Sequence, residues 1–252
     1  MIDNVEVILG DGTAELAFGL NPPLYRYFRT KAYANFDKAT ESVVTEMSPI
    51  VGKAKKMFKE KKGVPNEMSI LEKLIAKCGE DSKIPEVMSL DALTAGIDTT
   101  GNTSAFLLYH LASNPDKQEL LFKEINQVVG DGPITAALLN DLKYLKAVQH
   151  ESQRLLPAIG GMSRVTQKDM VLGGYQVPKG TKVSMLWTSS MRSERNFEQA
   201  DKFLPERWLR GCPQHHQAHP FAFIPFGHGA RMCIGRRFAE LEVQILAIQT
   251  LR

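Results

Sequence analysis

Residues 223 to 244 read FIPFGHGARMCIGRRFAELEVQ, a stretch in which one cysteine, Cys233, stands among Phe226, Gly227, Gly229, Arg231 and Gly235. Glycine lacks a Cβ, so glycines beside a thiol mark a backbone that passes close to something flat or bulky. Arginines around the same thiol indicate that this partner carries negative charge. Upstream, TAGIDTTGNT at residues 94 to 103 sets the carboxyl of Asp98 beside the hydroxyl of Thr99 inside a long apolar pattern. An acid next to a hydroxyl suits proton delivery to a bound small molecule; a packed helix whose threonines bond their own backbone is the plainer alternative. Glu151 and Arg154, three apart in ESQR, share one face of a helix, a spacing that on a surface contributes well under ~1 kcal/mol. Finally, CPQHHQAH gathers Cys212, His215, His216 and His219, zinc ligands by type but not by the spacing of any closed zinc motif.

These groups need elements to hold them, and the chain supplies mostly helices. Val87, Leu90, Leu93, Ile97, Leu107, Leu108 and Leu111 recur at helical spacing and predict one long helix from about Pro85 to Ser113. Gly96 and Gly101 inside it each cost about 1 kcal/mol relative to alanine, and the threonines around Asp98 are weak helix formers. Such a weakness fits a place where a ligand lies against the helix and a threonine hydroxyl opens its hydrogen-bond ladder. An earlier helix is predicted from Tyr33 to Lys62. Its end gathers Lys53, Lys55, Lys56, Lys59, Lys61 and Lys62, either a solvated face or a contact for a membrane surface or an acidic protein. Downstream, Asn114 is expected to cap a short helix opened by Pro115 and supported by the Glu119–Lys123 pair. The helix carrying Glu151 ends at Pro157, and strands follow: Met170 to Leu172, a Gly173–Gly174 turn, Tyr175 to Val177, a Pro178–Gly180 turn and a further strand.

Composition bounds the class. The chain has 252 residues, 43% hydrophobic and 23% charged, enough for a sizeable core. A formal charge of +3 is too small an excess to argue for nucleic acid, so a basic partner surface has to be local. Cys78, Cys212 and Cys233 are an odd count at irregular spacing, which speaks for a reducing compartment over a disulfide framework. No run approaches the roughly 20 apolar residues of a membrane span, and residues 1 to 20 lack the order of a signal peptide. The opening thirty residues, broken at Asn21, Pro22 and Pro23, carry no readable function, and no repeat or linker marks a second domain.

Phe226, Gly229, Arg231, Cys233 and Gly235 fit the pattern F-x-x-G-x-R-x-C-x-G, which resembles the haem loop of the cytochrome P-450 monooxygenases. Three further segments agree in order and spacing. AGIDTT at 95 to 100 resembles the oxygen-activating helix of that family, ESQR at 151 to 154 its E-x-x-R helix, and FLPERW at 203 to 208 the P-E-R segment that follows. The resemblance covers the chain from about Pro85 onward.

What it implies is specific. Haem b is the expected cofactor, with Cys233 as the axial thiolate; such a ligand pushes electron density onto iron and favours O–O cleavage. Metal coordination, loop amides and the helix start at Gly235 favour the anionic sulfur. Gly227 and Gly229 let the loop turn under the macrocycle, Phe226 and Gly235 flank it, and Arg231 and Arg164 are the expected propionate partners. Asp98 and Thr99 become the proton-delivery pair. Glu151, Arg154 and Arg207 form a buried structural triad, stable only as a complete set. CIGRRFAELE looks like the mitochondrial branch, whose electrons come from an acidic ferredoxin. Lys146 and Arg237 are then the docking residues, with His150 standing where a second lysine is common and making docking weaker or pH-dependent.

The fold expected is therefore mainly α with a minor β part, a cytochrome P-450 fold truncated at both ends, with residues 1–252 forming one partial catalytic domain. The expected reaction inserts one oxygen atom of O2 into a small apolar substrate, steroid- or lipid-like, with no nucleic acid involved. Mitochondrial, membrane-associated placement is expected, with a peripheral membrane contact; the endoplasmic reticulum membrane is the alternative. The competing class is an inactive remnant that serves at most as a partner-binding scaffold. An oxygen-independent isomerase is weaker, because Asp98 and Thr99 would have no task in it.

Overall fold

The computed structural model describes residues 27–60, 68–79, 82–213, 215 and 218–252. Apolar residues four apart build the first helix, α1, Lys31–Glu60: Ala39, Val43, Met47 and Val51 share one face and are buried. Val43 and Met47 pack against Leu90, Leu93 and Ile97. The predicted span reached Lys62, but Lys61 and Lys62 lie outside the described residues, as does the opening segment up to residue 26. A short helix, α2, Ile70–Cys78, begins at a capping box in which Glu72 N donates to Ser69 Oγ at 3.2 Å and Ser69 N donates to Glu72 Oε2 at 2.6 Å.

The long helix α3, Ile84–Ser113, starts in a first compact unit, residues 1–98, and ends in a second, residues 99–252. It stays α-helical through Asp98–Thr103, which corrects the expectation of an opened ladder. Thr103 Oγ1 donates to Thr99 O at 2.7 Å and Thr94 Oγ1 to Leu90 O at 2.9 Å, so these hydroxyls bond carbonyls one turn back without breaking the helix. Among the described residues, a Cβ added at Gly96 or Gly101 would meet nothing within 4 Å.

In the second unit, α4, Pro115–Val128, follows directly. Asn114 does not cap it with a side chain; its Nδ2 donates instead to His110 O at 2.8 Å and closes the end of α3. Next come α5, Ala136–Asp141, and α6, Lys143–Leu155. Two small antiparallel pairs supply the β part. Strand β1, Met162–Val165, pairs with β4, Lys182–Met185, from Met162↔Met185 to Val165↔Lys182. Strand β2, Met170–Leu172, pairs with β3, Tyr175–Val177, through a turn in which Gly173 and Gly174 have φ of +58° and +85°. Two consecutive positive φ angles are what a tight hairpin of this twist needs, and glycine adopts them without strain. Helix α7, Trp187–Met191, three 3₁₀ turns and the final helix α8, Arg236–Leu251, complete the unit.

The main core gathers Leu111 of α3, Ile125 of α4, Leu145 and Val148 of α6, and Val243 and Ile248 of α8. Helix α6 lies at its centre, with Gln149, Glu151, Ser152, Gln153 and Arg154 buried as well. A helix this polar is not driven inside by the hydrophobic effect alone. Its polar groups have to find partners there.

Candidate functional site

Glu151 meets that requirement through both carboxylate oxygens. Oε1 accepts from Arg154 Nη2 at 2.9 Å, Arg207 Nε at 2.9 Å and Leu204 N at 3.0 Å; Oε2 accepts from Arg154 Nε at 2.9 Å and Trp208 Nε1 at 2.9 Å. The structure thus brings Glu151, Arg154 and Arg207 together, at 0%, 0% and 3% exposure. The remaining guanidinium donors are met by carbonyls: Arg154 bonds Met191 O, Ala200 O and Lys202 O at 2.8, 2.7 and 3.1 Å, and Arg207 bonds Glu198 O at 3.0 Å. Phe197 lies under both cations, 5.1 Å from Arg154 Cζ and 5.9 Å from Arg207 Cζ. Sequence reasoning missed Trp208 and Phe197. A tryptophan immediately after P-E-R was a readable signal for the first, whereas nothing local marks the second.

The P-E-R residues sit in a single 3₁₀ turn, Pro205–Trp208. From it, Trp208 meets Phe223 at 4.6 Å and His150 at 5.3 Å between ring centroids. Phe223 leads into the cysteine loop. That loop is closed by Cys233 N donating to Phe226 O at 2.9 Å. Gly227 and Gly229 have φ of +73° and +80°, and a Cβ on Gly227 would come within 3.2 Å of Met162 Cε. Gly235, the N-cap of α8, has an ordinary φ of −80°, and a Cβ there would make only an ordinary contact, 3.9 Å from Cys233 Sγ.

Cys233 is unbridged and exposed. Around it Met232, Ile234 and Phe238 are 45%, 84% and 53% exposed, and Arg231 is an exposed cation. Among the described residues no group of three or more His, Cys, Asp or Glu could hold a metal ion. The exposed thiol of Cys233 suits an iron whose other donors come from a macrocycle. The apolar surround and the arginine suit a flat group with anionic edges, so these residues fit haem.

The other candidates are placed as follows. Asp98 and Thr99 are consecutive, half-buried residues of α3, one at the end of the first unit and one at the start of the second. Arg164 is exposed on β1, with Nη1 donating to Ser163 O at 2.9 Å. Lys146 is half-buried and its Nζ donates to Asn140 O at 2.9 Å, while Arg237 is exposed in the first turn of α8. His150 packs in the aromatic cluster of Trp208 and Phe223. Burial pulls its imidazole below the usual range, helped by Arg236 and Lys146 and opposed by Glu240, so it is held neutral and is not a surface cation. Of the zinc-type cluster, His215 Nδ1 lies 3.1 Å from Arg207 O and His219 Nδ1 accepts Phe221 N at 3.2 Å. His216 is outside the described residues.

Comparison with known proteins adds to this geometry. The family model for cytochrome P450 matches residues 9–252. The probable mitochondrial cytochrome P450 12a5 of Drosophila melanogaster is 38% identical over 249 residues, covering 92% of this chain and 46% of that protein. The mitochondrial cytochrome P450 302a1 of the same fly is 44% identical over 166 residues, covering 64% of this chain and 33% of that protein. Among solved structures, the retinoic acid-bound cyanobacterial CYP120A1 matches with a TM-score of 0.75 and 25% identity, over 99% of this chain and 55% of that one. The chain spans about half the length of the curated relatives it matches.

Proposed function

The chain belongs to the cytochrome P450 family, and from that premise we propose that it is the thiolate-bearing portion of a haem monooxygenase acting on a small apolar, steroid- or lipid-like substrate. The observation that carries this reading is the exposed Cys233 on a glycine loop closed by its own amide to Phe226 O at 2.9 Å. When bound, haem b would supply the O2-activating iron chemistry by which one oxygen atom enters the substrate, while two electrons from the redox partner and two protons take the other to water.

The chain's own residues divide the remaining work. Cys233 would hold the haem iron through its sulfur, and Gly235 starts α8 directly behind the loop. Arg231 and Arg164 neutralise the haem carboxylates. Asp98 and Thr99 hold and pass a proton on the substrate side, where water must be excluded except along that route. The Glu151–Arg154–Arg207 triad keeps the P-E-R turn against α6, so that the loop after it starts from a fixed place. Both compact units serve one catalytic domain.

An acidic ferredoxin-type protein is the electron donor in this reading, with Arg237 as an exposed cation of the docking surface together with Lys146, one of whose three ammonium donors is held by Asn140 O. Mitochondrial placement is supported by relatives that bear that name. The membrane contact proposed is peripheral; among the described residues no helix is long and apolar enough to cross a membrane.

Haem titration, followed by oxygen and product measurement with a ferredoxin-type donor, tests the proposal. One haem per chain and oxygen use matched by oxygenated product is the expected result. Failure to take up haem would favour the competing reading, a partner-binding scaffold without catalysis.

A further inference from the structure

We propose that Glu206 is a positioning residue for the Cys233 loop, a role that rests on the haem-thiolate reading above. Pro205–Trp208 is a single 3₁₀ turn, too short to hold its own conformation. Its neighbours hold it from two sides.

Arg207 is tied to Glu151, and Glu206 points the other way. Glu206 Oε1 accepts from Lys117 Nζ at 2.9 Å and from Tyr144 OH at 3.1 Å, with the lysine and glutamate side chains 18% and 16% exposed. Its other oxygen, Oε2, is buried without a hydrogen-bond partner among the described residues, so the placement of the carboxylate depends on those two donors. The donors are themselves fixed. Helix α6 has no side-chain cap of its own at Leu142; Glu124 of α4 supplies one, accepting Tyr144 N at 2.7 Å and Leu145 N at 2.9 Å.

From Glu206 the path to the sulfur is short. Trp208, two residues on, donates to Glu151 Oε2 at 2.9 Å and packs on Phe223 at 4.6 Å. Phe223 opens the segment that reaches Phe226, whose carbonyl receives the amide of Cys233 at 2.9 Å. A turn freed on its Glu206 side lets Trp208 shift, and Phe223 and the loop shift with it.

Amide hydrogen exchange on the full chain tests this without haem. Glu206→Gln and Lys117→Met are each expected to lower protection of the Cys233 amide about tenfold, with the double variant no worse than either single, because both remove the same tie. The Gly180 amide, bonded to Thr166 O at 2.9 Å beyond the Val165 end of β1, should stay at the parental level. An unchanged Cys233 amide overturns the proposal, as does an equal fall at Gly180, which would mean general destabilisation. If Glu206→Gln does not fold, Tyr144→Phe removes only the hydroxyl donor and must move the Cys233 amide in the same direction. The haem-loaded protein gives a separate spectroscopic arm: the same variants should lose the thiolate-type spectrum of the reduced carbon-monoxide adduct sooner than the parent. A parent that never takes up haem overturns the haem reading while the exchange result stands; a parent with a thiolate spectrum whose Cys233 amide ignores Glu206→Gln overturns the positioning role.

Discussion

At Glu151 one carboxylate satisfies Arg154, Arg207, Trp208 and a backbone amide, all at 3.0 Å or less. Removing it leaves two buried guanidinium groups without their anion, which costs far more than the deletion of a surface charge. Glu151→Ala is expected to lower the free energy of unfolding in urea by about 3–5 kcal/mol. A loss under ~1 kcal/mol would mean that the triad is dispensable. The spacing of Glu151 and Arg154 was visible in the sequence, but it is the same spacing as that of an ordinary surface pair. Only burial separates the two cases, and burial depends on residues far along the chain. Thr99 and Asp98 differ in kind, since their proposed task is chemical. In the haem-loaded protein Thr99→Ala is expected to keep consuming oxygen but to release it as peroxide, and Asp98→Asn to slow turnover; unchanged coupling of oxygen to product would contradict the role.

Among elements, helix α6 shows what a periodic pattern conveys and what it leaves out. Its existence and its end near Pro157 were legible, because apolar residues recur along it and proline stops it. Its central position was not, because polar residues that look solvated are buried, Glu151 and Arg154 in the triad and Gln149 against Gln244 Nε2 at 2.8 Å. Its cap was illegible for a related reason: the capping carboxylate, Glu124, lies some twenty residues upstream on another helix. Glu124→Ala is expected to destabilise the protein by about 1 kcal/mol, the usual worth of a helix cap, and to expose the Tyr144 and Leu145 amides to hydrogen exchange. Full protection of both amides in the variant would contradict the assignment. The reverse error occurred at Asn114, whose residue type and place predicted a cap for α4; its side chain turned back to His110 O. The Gly173–Gly174 hairpin was read correctly because its signal is entirely local.

For the molecule as a whole, two histidines lower stability on the acid side. His110 is buried, stacked on Phe203 at 4.9 Å, and its pKa is lowered by burial, with Arg154 adding to the effect and Glu151 opposing it. His150 is lowered in the same direction by burial, with Arg236 and Lys146 adding and Glu240 opposing. Both fall below the unfolded value of 6.5, so the unfolded chain binds more protons as the pH drops through that value. Stability should be level above about pH 7 and fall progressively below about pH 6.5, with a shallower fall in His110→Gln; the thermal midpoint against pH measures it. A midpoint that rises on acidification would contradict the burial of both rings. The family was legible at this scale because four short segments kept their order, from AGIDTT to the cysteine loop, and so was the triad that joins ESQR to PERW; the ties of Glu206 and Trp208 beside it were not. The most direct test of the central claim, that Cys233 is the thiolate ligand of a haem, is the absorption spectrum of the reduced carbon-monoxide adduct of the haem-titrated protein beside its Cys233→Ala variant. A thiolate-type band in the parent that is absent from Cys233→Ala is the predicted result; the same band persisting in the variant, where only Cys78 and Cys212 remain, would contradict it.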